Sequence, residues 1–234
     1  MLVNFTYLTE FLPLIFCVLF WKKLNTKALK VFFVYTILLA VCVSATLISI
    51  HIFKNKLASL YILKIYAVLE YSTFALFFSF LLQKIIFRNV LRLSIIPFIL
   101  LSVYDLFINK FRFNSLTLQL EFLVFIIVLI FFFFEKMNTI INFPIYQSVS
   151  FWICVGMLIY FSGNFFIFLL STYSKEKSFL QQVSIIYSIV TIIKNILFSS
   201  SLFANEQPEN SNDNHFQFPE ELNLDSFNLK NTYP

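Results

Sequence analysis

Long apolar runs separated by short polar segments make up most of this chain. Seven of these runs are about 20 residues long, which is the length that a helix needs to cross roughly 30 Å of hydrocarbon. They are apolar nearly all round and do not alternate, which predicts helices and excludes barrel strands. We place them at residues 2–21, 28–53, 57–82, 90–108, 116–134, 147–171 and 178–203. The pattern therefore predicts an all-α, polytopic membrane bundle of seven transmembrane helices.

Three prolines modify this prediction. Pro13 and Pro97 lie inside the first and fourth runs, where a missing backbone N–H is expected to kink the helix. Pro144 precedes the sixth run and is expected to help to start that helix. The connections are short, so no extramembrane domain is predicted between spans. Residues 1–203 should form the bundle, and residues 204–234 a separate acidic, disordered C-terminal tail.

Composition supports the membrane assignment, because only 12% of the residues are charged and 59% are hydrophobic. A soluble domain has about 25% charged residues. The basic residues lie mainly in the short loops between the apolar runs, which indicates topology signals and lipid headgroup contacts and not a nucleic-acid surface. Counting them slightly favours an N-terminus outside and a cytoplasmic C-terminus.

No reactive centre is predicted. The three cysteines lie in different runs without metal-ligand spacing, and there are only two histidines, so we expect no disulfide framework, no metal site and no cofactor. Of the two histidines only His51 lies in a predicted run, and it lies at the end of that run. Without a base beside a nucleophile the chain is not expected to be an enzyme.

A stripe of polar side chains runs down the last predicted helix. Its members are three or four residues apart from Gln181 to Ser199, which places them on one face. Lys194 lies at the edge of the stripe. A lysine facing lipid at mid-helix costs about 2.5 to 3.5 kcal/mol, so this face should point into the bundle. The stripe consists of Gln181, Ser184, Ser188, Thr191, Asn195 and Ser199.

The third run carries an acid that could match Lys194. Tyr66 and Glu70 share one face of that helix, near mid-depth. Because the third and seventh helices run in the same direction, we hypothesise a contact between Glu70 and Lys194. An equally open alternative has Lys194 extending to the inner headgroups and Glu70 hydrogen-bonded to Tyr or Ser. The candidates for a polar interior are Glu70, Lys194, Asn195, Tyr66, Thr191 and Ser188.

Three further acids, Glu10, Asp105 and Glu121, are expected nearer the outer side. They could line an outward-opening vestibule for a cationic or hydroxylated ligand. The alternative, which we favour, is that Asp105 and Glu121 lie within two turns of helix ends and reach water.

Two other features indicate packing and partners. Gly156 and Gly163 share a face of the sixth run with Tyr160, which favours close approach of another helix. The tail spaces apolar residues among acids, which indicates either a solvated terminus or a short linear motif for a basic groove of a partner. Those apolar residues are Phe216, Phe218, Leu222, Leu224, Phe227 and Leu229.

Three segments carry a resemblance to a known family. The first segment is residues 151–166, which contains Phe151-Trp152-Ile153 and Tyr160-Phe161-Ser162-Gly163-Asn164. The second runs from Tyr66 to Glu70-Tyr71, and the third is Ile192-Ile193-Lys194-Asn195-Ile196-Leu197-Phe198. This pattern resembles small bacterial seven-helix membrane proteins associated with histidine-kinase signalling. The resemblance implies a sensor-like module of the bacterial inner membrane that works with a separate kinase.

Two functions remain open from the sequence. The first is a receptor or sensor that passes a signal to a cytoplasmic partner through the seventh helix and the tail. The second is an accessory or structural subunit of a membrane complex. A transporter is less favoured, since no internal repeat is detected. The small-molecule ligand is not predicted.

Overall fold

The computed structural model describes residues 2–108, 116–138, 145–173 and 177–204. Within these ranges every regular element is helical, with two short 3-10 turns at Trp21–Lys23 and Ile145–Gln147. The α-helices are α1 (Leu2–Thr9), α2 (Leu12–Leu19), α3 (Lys27–His51), α4 (Lys56–Leu81), α5 (Ile85–Ile108), α6 (Leu116–Asn138), α7 (Val149–Tyr173) and α8 (Lys177–Ser201). The predicted all-α fold is therefore confirmed for the described part of the chain.

Six of these helices, α3 to α8, are long and apolar enough to cross a membrane. They correspond to the last six predicted runs, and they fit an integral membrane protein in contact with a lipid bilayer. Pro97 lies inside α5, which continues on both sides of it. The sixth run was predicted to start at residue 147, and α7 starts two residues later, at Val149. Pro144, which was expected to help to start this helix, lies outside the described residues.

The first predicted run is not one continuous helix. The chain forms two helices of 8 residues each, α1 and α2, which are separated at Glu10 and Phe11. Pro13 has no N–H to donate to the carbonyl of Thr9, and Phe11 N–H instead bonds to the carbonyl of Leu8 at 3.4 Å, three residues back. The proline therefore stands beside a break, where the sequence predicted a kink.

The helices pack in chain order around a closed ring. Each helix from α3 to α7 contacts the next one, α8 contacts α1 and α2, and α2 contacts α3. In addition α4 contacts α6 across the bundle. This arrangement makes α8 the neighbour of both the N-terminal segment and α7.

An aromatic core joins α4, α6 and α7. The ring centroid of Phe125 lies 5.0 Å from that of Phe161 and 5.8 Å from that of Phe74, and all three side chains are buried. Aromatic pairs at these separations are stabilising beyond the area they bury. The core holds α6 and α7 in a defined register.

One end of the bundle carries the C-terminal end of α8, and we call it the tail-side end. There the Lys23 ammonium donates to the carbonyls of Leu202 at 3.0 Å and Ala204 at 3.1 Å, which are otherwise open acceptors at a helix terminus. At the α4–α5 link the Glu135 carboxylate accepts from the backbone N–H groups of Gln83 and Lys84 at 3.1 and 3.2 Å. Lys23 thus caps the C-terminal end of α8, and Glu135 caps the link between α4 and α5.

Candidate functional site at Lys194

Lys194 is the centre of the polar interior. It lies on α8 and is only 1% exposed, although a lysine is rarely buried without partners. Its ammonium donates to the hydroxyl of Tyr35 on α3 at 3.4 Å. The same nitrogen lies 4.3 Å from the ring centroid of Tyr160 on α7, in cation–π geometry. Lys194 therefore joins α3, α7 and α8.

Glu70 is linked to Lys194 through tyrosines. Its Oε1 atom accepts from the hydroxyl of Tyr66 at 3.1 Å and from that of Tyr35 at 3.3 Å, and the two hydroxyl oxygens are 3.1 Å apart. Glu70 and Tyr35 are buried, and Tyr66 is partly buried. The result is a chain of polar contacts from Glu70 on α4 through Tyr35 to Lys194.

The hypothesised contact between Glu70 and Lys194 is therefore indirect. No ion pair within 4.0 Å joins them among the described residues, where the recorded ion pair is Lys64–Asp105 at 3.5 Å. Their charges nevertheless interact. As in the alternative, Glu70 is hydrogen-bonded to tyrosine, but Lys194 is buried inside the bundle instead of extending out of it.

Asn195 connects the next position of α8 to the break between α1 and α2. Its side-chain nitrogen donates to Thr9 Oγ1 at 3.2 Å, and Thr9 Oγ1 donates to the carbonyl of Thr6 at 2.7 Å. Glu10, the following residue, is buried and its charge interacts with those of Lys194 and Glu70. The break in the first apolar segment thus lies beside the Lys194 network.

Only part of the predicted stripe is buried. Ser188, Thr191, Asn195 and Ser199 are buried, whereas Gln181 and Ser184 are exposed, so the prediction is wrong for the beginning of α8. Polar side chains near a helix start can reach interfacial water and need no partner inside the bundle.

The three acids predicted for an outer vestibule have separate surroundings. Glu10 belongs with Lys194, and Asp105 pairs with Lys64 at 3.5 Å. Glu121 is fully buried, so the alternative in which it reaches water does not hold. The sequence grouped these residues by depth, but Glu10 lies in the break between α1 and α2, Asp105 on α5 and Glu121 on α6, and their surroundings differ.

Gly156 and Gly163 both face α8. A Cβ atom built on Gly156 would lie 3.0 Å from Phe198, and one on Gly163 would lie 2.9 Å from Val190. A side chain at position 163 would therefore force α7 and α8 to shift, whereas one at position 156 would press on the ring of Phe198 by a few tenths of an ångström. This proximity also brings Tyr160 over Lys194.

Sequence reasoning missed Tyr35 and Asn164. Asn164 follows Gly163 and is fully buried, without a hydrogen-bond partner in the described part of the chain. It had a detectable signal, namely an amide one helical turn beyond Tyr160 on the same face. Tyr35 had no such signal, because the sequence does not distinguish a tyrosine with a polar role from the many aromatic residues that only pack. The predicted tail motif, from Phe216 to Leu229, lies outside the described residues.

The assembled site combines one buried ammonium group, two acids within range of its charge, and a pair of tyrosine hydroxyls. Such a site can hold a polar or charged group, and it can exchange hydrogen-bond partners around Tyr35. Across the described residues no group of three or more His, Cys, Asp or Glu side chains is arranged to hold a metal ion. Comparisons with protein-family models, curated proteins and solved structures found no match.

Proposed function

We propose that this protein is a receptor-like sensor of the membrane that has no catalytic domain of its own and signals to a cytoplasmic protein partner. The supporting observation is the burial of Lys194 on α8 with contacts to Tyr35 on α3 and Tyr160 on α7. A buried ionisable residue inside a membrane bundle is expensive and marks a functional position by default. Lys194 lies on α8, which is also the helix that precedes residues 205–234.

The signal in this proposal is a shift between two arrangements of α8. A polar ligand that replaces Tyr35 at the Lys194 ammonium would weaken the link between α8 and α3, and a ligand with different affinities for two arrangements shifts their populations. At the tail-side end Lys23 holds the last carbonyls of α8 at 3.0 and 3.1 Å. A movement of α8 is therefore passed to the α2–α3 link and to the tail.

The N-terminal segment acts as a broken seventh span in this proposal. Thr9 meets Asn195 in the second half of α8, and the ring of Phe16 lies 5.6 Å from that of Phe203 beyond its end, so the segment runs parallel to α8. At 1.5 Å per residue, residues 2–19 extend about 27 Å. The N-terminus then lies outside and the tail lies in the cytoplasm, and the family resemblance suggests a bacterial inner membrane and a separate kinase as partner.

Hydrogen exchange tests the coupling between Lys194 and the end of α8. The variant Lys194→Met removes the charge and keeps a flexible side chain of similar length, whereas the control Lys64→Met removes a lysine that pairs with Asp105 on α5. In lipid nanodiscs we expect amides of residues 198–204 to exchange at least about tenfold faster in Lys194→Met and to be unchanged in Lys64→Met. Equal exchange in both variants would contradict the proposal.

Recovery of a partner separates a sensor from an accessory subunit. Full-length protein, a variant ending at residue 204, and Lys194→Met are each purified from native membranes in mild detergent, with Lys64→Met as control. A sensor should lose its partner on truncation and change its recovery in Lys194→Met. An accessory subunit should retain stoichiometric partners in Lys194→Met, and that result would favour the second function over the first.

A further inference from the structure

Glu121 is a buried acid that the Lys194 network does not use. It lies in the second turn of α6, is fully buried, and neither carboxyl oxygen has a hydrogen-bond partner among the described residues. A buried carboxyl group without compensation is strongly unfavourable. Such a group requires a partner, and no side chain in the described ranges supplies one.

Asn164 on α7 presents a second set of unsatisfied atoms. It is fully buried, and both its amide nitrogen and its amide oxygen lack partners within the described ranges. The hydroxyl oxygen of Thr117, one turn before Glu121 on α6, is buried and unpartnered in the same sense. Unsatisfied buried polar atoms are uncommon in folded proteins, so three such residues on two adjacent helices call for a common explanation.

The aromatic register places Glu121 opposite Asn164. Phe125 stacks on Phe161 with ring centroids 5.0 Å apart, and Phe122 lies 5.9 Å from Phe161. Adjacent helices joined by a short link run antiparallel, so one turn toward the start of α6 corresponds to one turn toward the end of α7. From the Phe125–Phe161 pair, that turn leads to Glu121 on α6 and to Asn164 on α7.

Among the described residues no ion pair of Glu121 is recorded. The charged residue that acts on it is Glu70, another acid, whereas the charge of Lys194 interacts with Glu70 and Glu10. Glu121 thus adds one carboxyl group to the buried polar atoms of Asn164 and Thr117 in a water-poor interior. A single positive charge entering there would be favoured, while a divalent ion would leave an excess charge buried beside one carboxylate.

We propose that Glu121, Asn164 and Thr117 bind one monovalent alkali cation between α6 and α7. A carboxylate, an amide oxygen and a hydroxyl are hard oxygen ligands of the kind that non-transition metal cations prefer. Sodium and potassium share this chemistry. The site is distinct from the Lys194 network, and the proposal stands whether or not the protein signals through its tail.

Cation-dependent stability tests this site. The thermal unfolding midpoint of purified protein in nanodiscs is measured in NaCl, KCl and choline chloride at constant ionic strength. Wild type should show a saturable rise in NaCl or KCl over choline chloride, about 3 to 6 °C at roughly ten times the dissociation constant. Glu121→Gln should lose this rise, and its binding of radioactive sodium or rubidium should fall from about one ion per chain to none. Asn164→Leu should show a smaller rise and weaker ion binding.

Asp105→Asn is the matched control, because it removes another acid of this membrane region that already has Lys64 as a partner. It should keep both the rise in midpoint and the bound ion. The proposal is overturned if wild type shows no difference between alkali chlorides and choline chloride, or if the difference persists in Glu121→Gln. If Glu121→Gln does not fold, Thr117→Val and Asn164→Leu are used for the same test. Both variants should bind the ion more weakly than wild type, and unchanged binding would contradict the proposal.

Discussion

At the scale of single residues, Tyr35 holds the polar interior together. Its hydroxyl group accepts from Lys194, donates to Glu70 and lies 3.1 Å from the hydroxyl of Tyr66. One oxygen thus connects the ammonium of α8 to the carboxylate of α4. Removing that oxygen leaves the shape of the ring in place and takes away only the polar links.

We therefore predict that Tyr35→Phe destabilises the protein by about 1 to 3 kcal/mol, since buried charged groups lose a hydrogen-bond partner. The measurement is the thermal unfolding midpoint in detergent or nanodiscs. Tyr104→Phe is the control, because Tyr104 is 66% exposed on α5. Equal midpoints for Tyr35→Phe and wild type would show that the tyrosine bridge does not stabilise the bundle.

Some of this site could be predicted from sequence and some could not. Helical spacing and depth were enough to bring Glu70 and Lys194 to the same interior, because polar residues in apolar helices must avoid lipid. The spacing does not determine which side chain stands between them. That depends on how α3 is rotated and packed, and Tyr35 resembles many other aromatic residues of the chain until the packing is known.

At the scale of helices, the α7–α8 pair depends on Gly163. A methyl group at this position would lie 2.9 Å from Val190, whose branched side chain has few alternative rotamers. The two helices must then separate or shift. Because Tyr160 lies on α7 and Lys194 on α8, such a shift also disturbs the cation–π contact.

We predict that Gly163→Ala lowers stability by about 1 to 3 kcal/mol, as overpacking does in other cores. Adding Val190→Ala to Gly163→Ala should recover much of the loss, because the smaller side chain makes room for the new methyl group. The thermal midpoints of both single variants and the double variant form a cycle that measures this interaction. Losses that simply add would show that Gly163 and Val190 do not interact.

The break between α1 and α2 shows the limit of counting apolar residues. Hydropathy treats residues 2–21 as one span, but Pro13 removes an N–H, and Thr9 has a hydrogen-bond partner, Asn195, on α8. Local propensity and tertiary contacts both favour a break at this point. The sequence contains the first cause, whereas the second follows only from the packing of α8 against α1.

At the scale of the whole molecule, the ring of helices brings basic residues together at the tail-side end. This end contains Lys23, Lys84 and Arg92, and the tail that leaves it holds six acids and one lysine. Basic residues at helix ends favour the cytoplasmic side of a membrane. If α1 and α2 together cross the bilayer, the N-terminus must lie on the opposite side from the tail.

Cysteine labelling tests this topology. The three native cysteines are replaced by alanine, and single cysteines are introduced as Asn4→Cys, Asn55→Cys, Gln83→Cys and Ser211→Cys. A membrane-impermeant maleimide added to intact cells should label the first two and label the last two only after permeabilisation. Asn55 and Gln83 mark opposite ends of α4 and serve as internal controls. Labelling of Asn4→Cys together with Gln83→Cys would mean that α1 and α2 do not cross the membrane, and the six long helices would then be its only described spans.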